Sequence, residues 1–455
     1  MTVMTDYARA TAGELAQALA AREVSSVELT DEAIRAIEAK DGPINAVVVR
    51  DFDRAREQAR AADAALAKGE RGALLGVPMT VKESFRVLGL PTTWGYEQFK
   101  GWLPNFEGPP LTRLRAAGAV ILGKTNVPPG LSDWQSDNPI YGRTNNPHDL
   151  GRSPGGSSGG SAAALAAGMV PLELGSDIGG SIRVPAHFCG VFGHKPTVKL
   201  VPAWGAAGPA ITEPGPLQDL SVCGPLARSA DDLQLVMDVI AGPDGDEAKA
   251  YRYQPPKPRH ATLGGFRVLV LADNPMCATD DEVKAVVEEA AAAFERAGAR
   301  VLRSSDLLPD LAAAQPDYMT MLNTSMTRGQ PNATPVDAHV WANLLGVQHT
   351  LRRRWAALFA EFDIVLCAPF GTPAFPHKGA GAMQEGATLT VNGQETPYHH
   401  QLAWAGVATF PGLPATVAPV GKSRSGLPIG VQIIGPFLED ATPVAAAGLL
   451  AQAMG

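Results

Sequence analysis

Short apolar runs bounded by glycine and proline alternate with helical patterns along most of the 455-residue chain. The runs at 74–78, 120–122, 169–174 and 267–271 have the length and apolar character of buried strands. Helical patterns occupy stretches near them, among them 160–167 and 280–297. Strands that alternate with helices are typical of a mixed or parallel sheet covered on both faces. The sequence therefore predicts an α/β protein, a single α/β/α unit around a large mixed β-sheet.

Residue composition and the pattern of strand and helix signals divide the chain into five segments. The sequence contains no tandem repeat and no linker flexible enough to separate independent domains. They are N-terminal helices at 1–70, a glycine-rich core at 71–240, a Pro-rich connection at 241–265, a peripheral α/β portion at 266–370 and a return to the core sheet at 371–455. We expect the peripheral portion to belong to the same unit and not to form an independent domain.

The first segment carries clear helix signals. Two capping boxes, Thr11-x-x-Glu14 and Ser25-x-x-Glu28, each precede an amphipathic run. A third, Ala-rich helix is predicted over 52–68, ending at a glycine.

Charge and cysteine content exclude several classes of function. Lys and Arg total 38 against 46 for Asp and Glu, so the net charge of −8 offers no global attraction for nucleic acid or an anionic membrane. The four cysteines are too few and too widely spaced for a disulfide framework or a zinc site, and the nine histidines do not cluster with carboxylates. We expect no metal, no cofactor and a small-molecule partner, in a monomer or homodimer.

No stretch of the sequence resembles a targeting or membrane segment. Asp6, Arg9 and Glu14 interrupt the N-terminus where a secretory peptide is apolar. The longest weakly polar run, 162–172, is well short of the ~20 residues that span a bilayer. A cytoplasmic protein is expected.

Two familiar motifs match in letters but not in mechanism. Residues 118–125 fit the P-loop pattern, yet the residues between its glycines are strand formers and two prolines follow it, where a helix is required. Residues 155–159 fit the G-x-S-x-G nucleophile elbow, but a Gly- and Pro-bearing loop precedes them in place of a strand. His399 and His400 are the candidate bases for such an elbow, and adjacent histidines near a proline are more often loop residues facing solvent.

Three other segments indicate chemistry. Lys82 directly follows an apolar run, so that its amine is drawn towards the interior. Residues 152–161 combine four glycines with four serines before an Ala-rich helix, which indicates backbone held close to a neighbour. Residues 175–185 place glycines immediately before Ser181, so that successive N–H groups can point the same way, as an oxyanion hole requires. Pro185 and β-branched residues do not favour a helix there. A hydrolase that uses Lys as its base fits these features.

The ordered set of motifs closely resembles the amidase signature family, hydrolases of amide bonds with a Ser–Ser–Lys triad. The resemblance runs almost end to end and is densest from 75 to 197, across GVPMTVKES, GAVILGKTN, YGRTNNP, SPGGSSGGSAAALAAG and GSDIGGSIRVPAHFCGVFGHKPT. It returns in GPLARS, GLPATVAPVG and GLPIGVQIIGP. The resemblance implies the amidase signature fold.

The resemblance also implies roles for individual residues. Lys82 is the expected general base, Ser181 the nucleophile, and Ser157, after a cis peptide bond, the proton relay between them. Four backbone amides would hold the oxyanion, those of Ile178, Gly179, Gly180 and Ser181. Leu131 and Ser157 are expected to contact substrate.

One loop departs from the family pattern. Many relatives carry Glu and an aromatic residue where this chain has Pro129 and Gly130, beside the expected substrate entrance. The shape of the pocket at that point is therefore not transferable from relatives.

Three functions are compatible with these residues. The first is an amidase that hydrolyses the C–N bond of small or aryl amides through an acyl-enzyme on Ser181. The second is the same triad acting on carbamates (urethanes) or anilides. The third, of another class, is the glutaminase subunit of a tRNA-dependent amidotransferase complex. Such subunits usually carry Lys-Asp-Asn, whereas this chain has Lys82-Glu83-Ser84, which favours the free amidases.

Overall fold

The computed structural model describes residues 6–204, 208–213, 215, 218–328, 333–383 and 386–455. The helices of the described residues are α1 (Ala12–Ala21), α2 (Ser26–Ile44), α3 (Phe52–Ala67), α4 (Pro109–Ala116), α5 (Gly159–Ala166), α6 (Arg183–Cys189), α7 (Ala230–Ile240), α8 (Glu247–Ala250), α9 (Asp281–Arg296), α10 (Leu311–Thr327), α11 (Ala338–Glu361), α12 (Leu402–Thr409) and α13 (Ala441–Met454). The strands are β1 (Val47–Arg50), β2 (Pro78–Lys82), β3 (Val120–Thr125), β4 (Asp137–Asn138), β5 (Gly142–Arg143), β6 (Leu172–Asp177), β7 (Phe192–Lys195), β8 (Val222–Ala227), β9 (Arg267–Leu271), β10 (Arg300–Leu302), β11 (Ile364–Cys367), β12 (Thr388–Val391), β13 (Gln394–Pro397), β14 (Ala415–Lys422) and β15 (Pro428–Ile434).

Eleven of these strands form one mixed sheet in the order β1-β3-β2-β6-β8-β7-β14-β15-β11-β9-β10. Strand β2 runs parallel to both β3 and β6, and β9 runs parallel to β10 and β11, whereas β8 and β14 pair antiparallel with their neighbours. The central strands are buried along their whole length, as expected of a sheet flanked by helices. The predicted α/β class with a large mixed sheet is confirmed.

The stretch from β9 to β11 extends this sheet at one edge. Strand β11 pairs antiparallel with β15, with Val365 opposite Ile434, and parallel with β9, with Ile364 opposite Val268. Residues predicted as a peripheral portion therefore contribute strands to the same sheet as the glycine-rich core. The division of the chain into five segments stays a prediction.

The N-terminal helix signals are confirmed. Both capping boxes form, and at the first one the Glu14 amide donates to Thr11 Oγ1 at 3.1 Å while the Glu14 carboxylate accepts from the Thr11 amide at 2.8 Å. Helix α3 covers the third predicted helix. The prediction missed β1, a four-residue edge strand paired with β3, because so short a run has no readable alternation.

Two expectations about secondary structure were wrong, and the P-loop-like stretch does not have the structure of a P-loop. The apolar run at 74–77 forms a turn, and β2 begins only at Pro78. A helix, α6, does follow Ser181, because Pro185 falls in its first turn, where the missing N–H has no acceptor to lose. The P-loop-like stretch is a turn at Gly118 followed by β3, so no helix begins directly after it.

No helix of the described ranges is long and apolar enough to cross a bilayer.

Candidate active site

Lys82 is the last residue of β2, between the neighbouring strands β3 and β6 in the interior of the sheet. Its side chain is fully buried, and Nζ donates to Ser157 Oγ at 2.7 Å and to Ser176 Oγ at 3.0 Å. Burial lowers the pKa of the Lys82 amine to about 7, and the nearby Asp177 carboxylate opposes only part of that shift. A large fraction of this amine is therefore neutral near pH 7, as a general base has to be.

Ser157 lies in the glycine-rich loop just before α5, and the Gly156–Ser157 peptide bond is cis, as the resemblance predicted. A Cβ on Gly156 would lie 2.2 Å from the Asp133 carbonyl oxygen, so only glycine fits there. The next amide, that of Ser158, donates to the Ser181 carbonyl oxygen at 3.2 Å. The loop is thereby held against both the Lys82 strand and the Ser181 loop.

Ser181 lies in the loop between β6 and α6, and a buried ion pair shapes that loop. The Asp177 carboxylate accepts from the amides of Gly180 and Ile182, both at 3.0 Å, and from the Arg183 guanidinium at 2.9 Å. Burial alone would raise the pKa of Asp177, but the charge and hydrogen bonds of Arg183, together with the Lys195 charge and the Ile182 amide, outweigh it and lower that pKa to about 2. The carboxylate stays ionised and holds the turn that presents Ser181.

The backbone N–H groups around Ser181 differ in whether they have a hydrogen-bond acceptor within the protein. The Gly180 N–H is donated to Asp177, whereas the amides of Ile178, Gly179 and Ser181 have no acceptor among the described residues. Of the four predicted oxyanion donors, the structure leaves these three free and engages Gly180. Sequence reasoning had no means of separating them, because peptide orientation depends on contacts made by distant residues.

A cavity of about 600 Å³ opens beside Ser181. Ser181, Ile178 and Gly179 line it, whereas Lys82 and Ser157 are buried and do not. The order from cavity to interior is thus Ser181, then the Lys82–Ser157 pair. Leu131, expected to contact substrate, lines the cavity; Ser157, also expected to do so, does not.

The walls of the cavity are mostly apolar. They combine one face of α10 with the 129–134 loop and residues near α12, and the apolar members are Tyr96, Pro129, Leu131, Trp134, Ile178, Met319, Leu322, Met326, Met383 and Leu402. The aromatic residues Tyr96 and Trp134 line the cavity, whereas Trp94, Phe188, Tyr318 and Trp404 do not. Helix α10 carries no motif, so the sequence offered no signal that Met319, Leu322 and Met326 belong here.

The loop that departs from the family pattern forms part of the wall. Gly130 lies in the left-handed region with φ 61°, and its amide donates to the Trp94 carbonyl at 2.8 Å. A Cβ at this position would lie 2.2 Å from Tyr96 Oη. The tyrosine ring thus occupies the space that a side chain at residue 130 would need.

Charged groups are sparse around the cavity. No Lys or Arg of the described ranges lines it, and its one carboxylate is Asp133, whose pKa burial raises to about 6 against the opposing hydrogen bonds from Tyr398 and Gln135. His399 lines the rim and is exposed, as is His400, and the Ser157 hydroxyl is bonded to Lys82 and not to either ring. In the described parts of the chain, no three His, Cys, Asp or Glu side chains are grouped as metal ligands would be.

Sequence similarity and structural similarity to known proteins extend along nearly the whole chain. A family model described as Amidase matches residues 28–326 and 315–443. The putative amidase AmiB2 of Mycobacterium tuberculosis (strain ATCC 25618 / H37Rv) is 35% identical, over 99% of this chain and 97% of the relative. A glutamyl-tRNA(Gln) amidotransferase subunit of Roseiflexus castenholzii is 34% identical, over 96% and 94% of the two chains. A solved structure of a bacterial aryl acylamidase of the amidase signature enzymes has a TM-score of 0.83 at 25% identity, over 98% of this chain and 96% of its own.

Proposed function

This chain belongs to the amidase family and is a hydrolase of amide C–N bonds, and we propose that it acts without a partner subunit on small or aryl amides through an acyl-enzyme on Ser181. The observation that carries the proposal is the buried Lys82, whose Nζ lies 2.7 Å from Ser157 Oγ behind a cavity that Ser181 lines. A buried amine with a lowered pKa, next to a serine and a nucleophile loop, is the arrangement that a Lys-based hydrolase needs.

Acylation begins with proton transfer. Neutral Lys82 takes the hydroxyl proton of Ser157, and Ser157 takes that of Ser181 as the Ser181 oxygen attacks the amide carbon. The free amides of Ile178, Gly179 and Ser181 hold the negative oxygen of the tetrahedral intermediate. Lys82 then returns the proton through Ser157 to the leaving nitrogen. The C–N bond breaks, and the acyl group remains on Ser181.

Deacylation repeats these steps with water. Water adds to the acyl carbon and gives its proton, through Ser157, to Lys82. The ester bond to Ser181 then breaks, the proton returns to the Ser181 oxygen, and the carboxylic acid leaves. No residue outside Lys82, Ser157 and Ser181 is needed as an acid or base.

The character of the cavity supports uncharged substrates. A cavity of about 600 Å³ holds a drug-sized or smaller molecule, and its apolar walls favour alkyl and aryl groups. Glutamine carries an α-carboxylate, and no Lys or Arg in the described lining is available to pair with it. This favours a free amidase over the glutaminase alternative, although a glutamyl-tRNA(Gln) amidotransferase protein is among the relatives. Carbamates present the same carbonyl and leaving nitrogen, so they stay the second candidate substrates.

A substrate panel on one enzyme preparation tests the proposal. Acetanilide, benzamide, phenyl N-methylcarbamate and L-glutamine are compared by kcat/KM, with release of the amine or ammonia as the readout. We expect the anilide and benzamide to exceed glutamine by at least about 100-fold, since discrimination of that size follows from an unpaired charge in an apolar site. Glutamine as the best substrate would overturn the proposal. The Ser181→Ala variant is the control for hydrolysis that does not use this site.

A further inference from the structure

We propose that Tyr318, on α10, is a positioning residue that orients the Gly179 amide towards the oxyanion. The inference rests on the proposed function, since it concerns the same nucleophile loop. Tyr318 is almost fully buried, and its hydroxyl donates to the Ile178 carbonyl oxygen at 3.1 Å. That carbonyl and the Gly179 N–H belong to one peptide group. Tyr318 is separated from the loop by about 140 residues of sequence, and no motif marks it.

Peptide geometry converts this contact into an orientation. The Ile178–Gly179 bond is not among the cis bonds of the described chain, and in a planar trans peptide the C=O and N–H point in opposite directions. Tyr318 does not line the cavity, whereas Gly179 does. Because the Ile178 carbonyl points towards the Tyr318 hydroxyl, the Gly179 N–H points in the opposite direction, away from Tyr318.

The next peptide group shows the opposite outcome. Its carbonyl, that of Gly179, accepts from Trp134 Nε1 at 2.9 Å, and its N–H, that of Gly180, donates to Asp177 Oδ1 at 3.0 Å. Both ends are bonded inside the protein, so this group has no donor left for substrate. The contrast assigns the Gly179 amide, and not the Gly180 amide, to the oxyanion.

The position of Tyr318 also links this amide to the substrate wall. The adjacent Met319 and the nearby Leu322 on α10 line the cavity. The tyrosine ring packs so closely on Gly406 that a Cβ there would lie 2.7 Å from its Cδ1. Removing the hydroxyl alone therefore leaves the ring in place, and a Phe variant isolates the hydrogen bonding of the hydroxyl from the packing of the ring.

The test compares Tyr318→Phe with the wild-type enzyme on an anilide. We expect kcat to fall about 10-fold, below the ~10²–10³ lost when a donor itself is removed, because the amide remains but is less firmly oriented. KM should change by less than about twofold, since the cavity walls are unchanged. Tyr7→Phe is the matched control: that hydroxyl is also buried, donates to Met169 O at 3.3 Å, and lies outside the cavity lining.

A second readout does not depend on the choice of amide. A fluorophosphonate forms a P–O bond with an activated serine as the P–F bond breaks, fluoride leaves and the hydroxyl proton passes to the base. Its phosphoryl oxygen then lies where the same amides can bind it. Its rate of inactivation should fall with kcat in Tyr318→Phe and stay unchanged in Tyr7→Phe. Equal kcat and equal inactivation rates in Tyr318→Phe and wild type would overturn the inference, as would a change confined to KM. A wild-type enzyme that neither hydrolyses an amide nor reacts with the probe would instead overturn the proposed function.

Discussion

Lys82 Nζ lies 2.7 Å from Ser157 Oγ, and both side chains are buried beneath the cavity that Ser181 lines. The pair thus has no direct contact with bulk solvent, and in the proposed mechanism the Lys82 amine would act on Ser181 through the Ser157 hydroxyl. The same packing buries the Lys82 amine, which lowers its pKa, and brings it close enough to Ser157 for proton transfer.

The pH dependence of activity should follow Lys82. Burial lowers the Lys82 pKa to about 7, so the neutral, active form increases as pH rises through that value. We expect kcat/KM on an anilide to rise about tenfold per pH unit below pH 7 and to level off above it. A profile from about pH 5 to 10 measures this. A rise centred near pH 4, typical of a carboxylate base, would contradict the assignment.

Alanine variants of the three predicted triad residues should differ in how much of kcat they lose. Lys82→Ala and Ser181→Ala should each lower kcat by several orders of magnitude, as loss of a base or nucleophile does in serine hydrolases, and Ser157→Ala should leave somewhat more activity. Ser158→Ala is the matched control for Ser157, since Ser158 is the neighbouring buried serine and, among the described residues, its hydroxyl bonds only the Ser176 carbonyl, at 3.4 Å.

The alternative base is tested in the same assay. His399→Ala and His400→Ala should keep activity within about twofold, because both rings are exposed and neither bonds Ser157. A His variant without turnover, together with an active Lys82→Ala variant, would replace the Lys mechanism with a histidine-based one.

The buried amine should cost stability in a defined pH range. The Lys82 pKa lies below the 10.5 of an unburied lysine, so the unfolded chain binds more protons between about pH 7 and 10.5 and the penalty is full below pH 7. We expect Lys82→Met to raise the free energy of unfolding at pH 6 by at least about 1 kcal/mol, and by less at pH 10. Urea midpoints at the two pH values measure the difference. A gain that is equal at both pH values would indicate a packing effect and not titration.

The Asp177–Arg183 pair should be essential to the fold as well as to the loop. Arg183→Met leaves a fully buried carboxylate without its cation, and loss of one partner of such a pair typically costs about 3–5 kcal/mol. Arg303→Met is the control, since Arg303 pairs with Glu288 and Glu295 at the exposed surface and should change stability by less than about 1 kcal/mol. Similar losses for both variants, measured by urea unfolding, would contradict the prediction.

The Gly130 position should control substrate fit. Gly130→Ala places a Cβ against Tyr96 Oη in the cavity wall, so we expect KM for an anilide to rise about tenfold with a smaller effect on kcat. Adding Tyr96→Phe removes the closest clashing atom and should recover part of the loss. A double variant no better than Gly130→Ala would show that the left-handed backbone at residue 130, and not the contact with Tyr96, is responsible.

Local signals predicted much of the fold and the core of the site. The capping boxes at Thr11 and Ser25, the strand formers of β3 and the alternation of strands with helices act through neighbouring residues, and those elements are present. Apolar and glycine-rich settings, which are local too, indicated a lysine and several serines, and the family resemblance then singled out Lys82, Ser157 and Ser181 among them. Helix α6 was missed, since the propensity of Pro185 was weighed without its position in the first turn.

By itself, the sequence determined the α/β class, the family resemblance and the three residues that the structure brings to one site, because periodicity, turn residues and motifs are written within a few positions of one another. Only the tertiary structure decided how low the Lys82 pKa lies, which amides beside Ser181 remain free and which side chains wall the cavity. Those properties depend on desolvation and on contacts between residues far apart in the chain, such as Tyr318 with Ile178. Burial and peptide orientation are set by the packing of the whole molecule, and no local pattern encodes them.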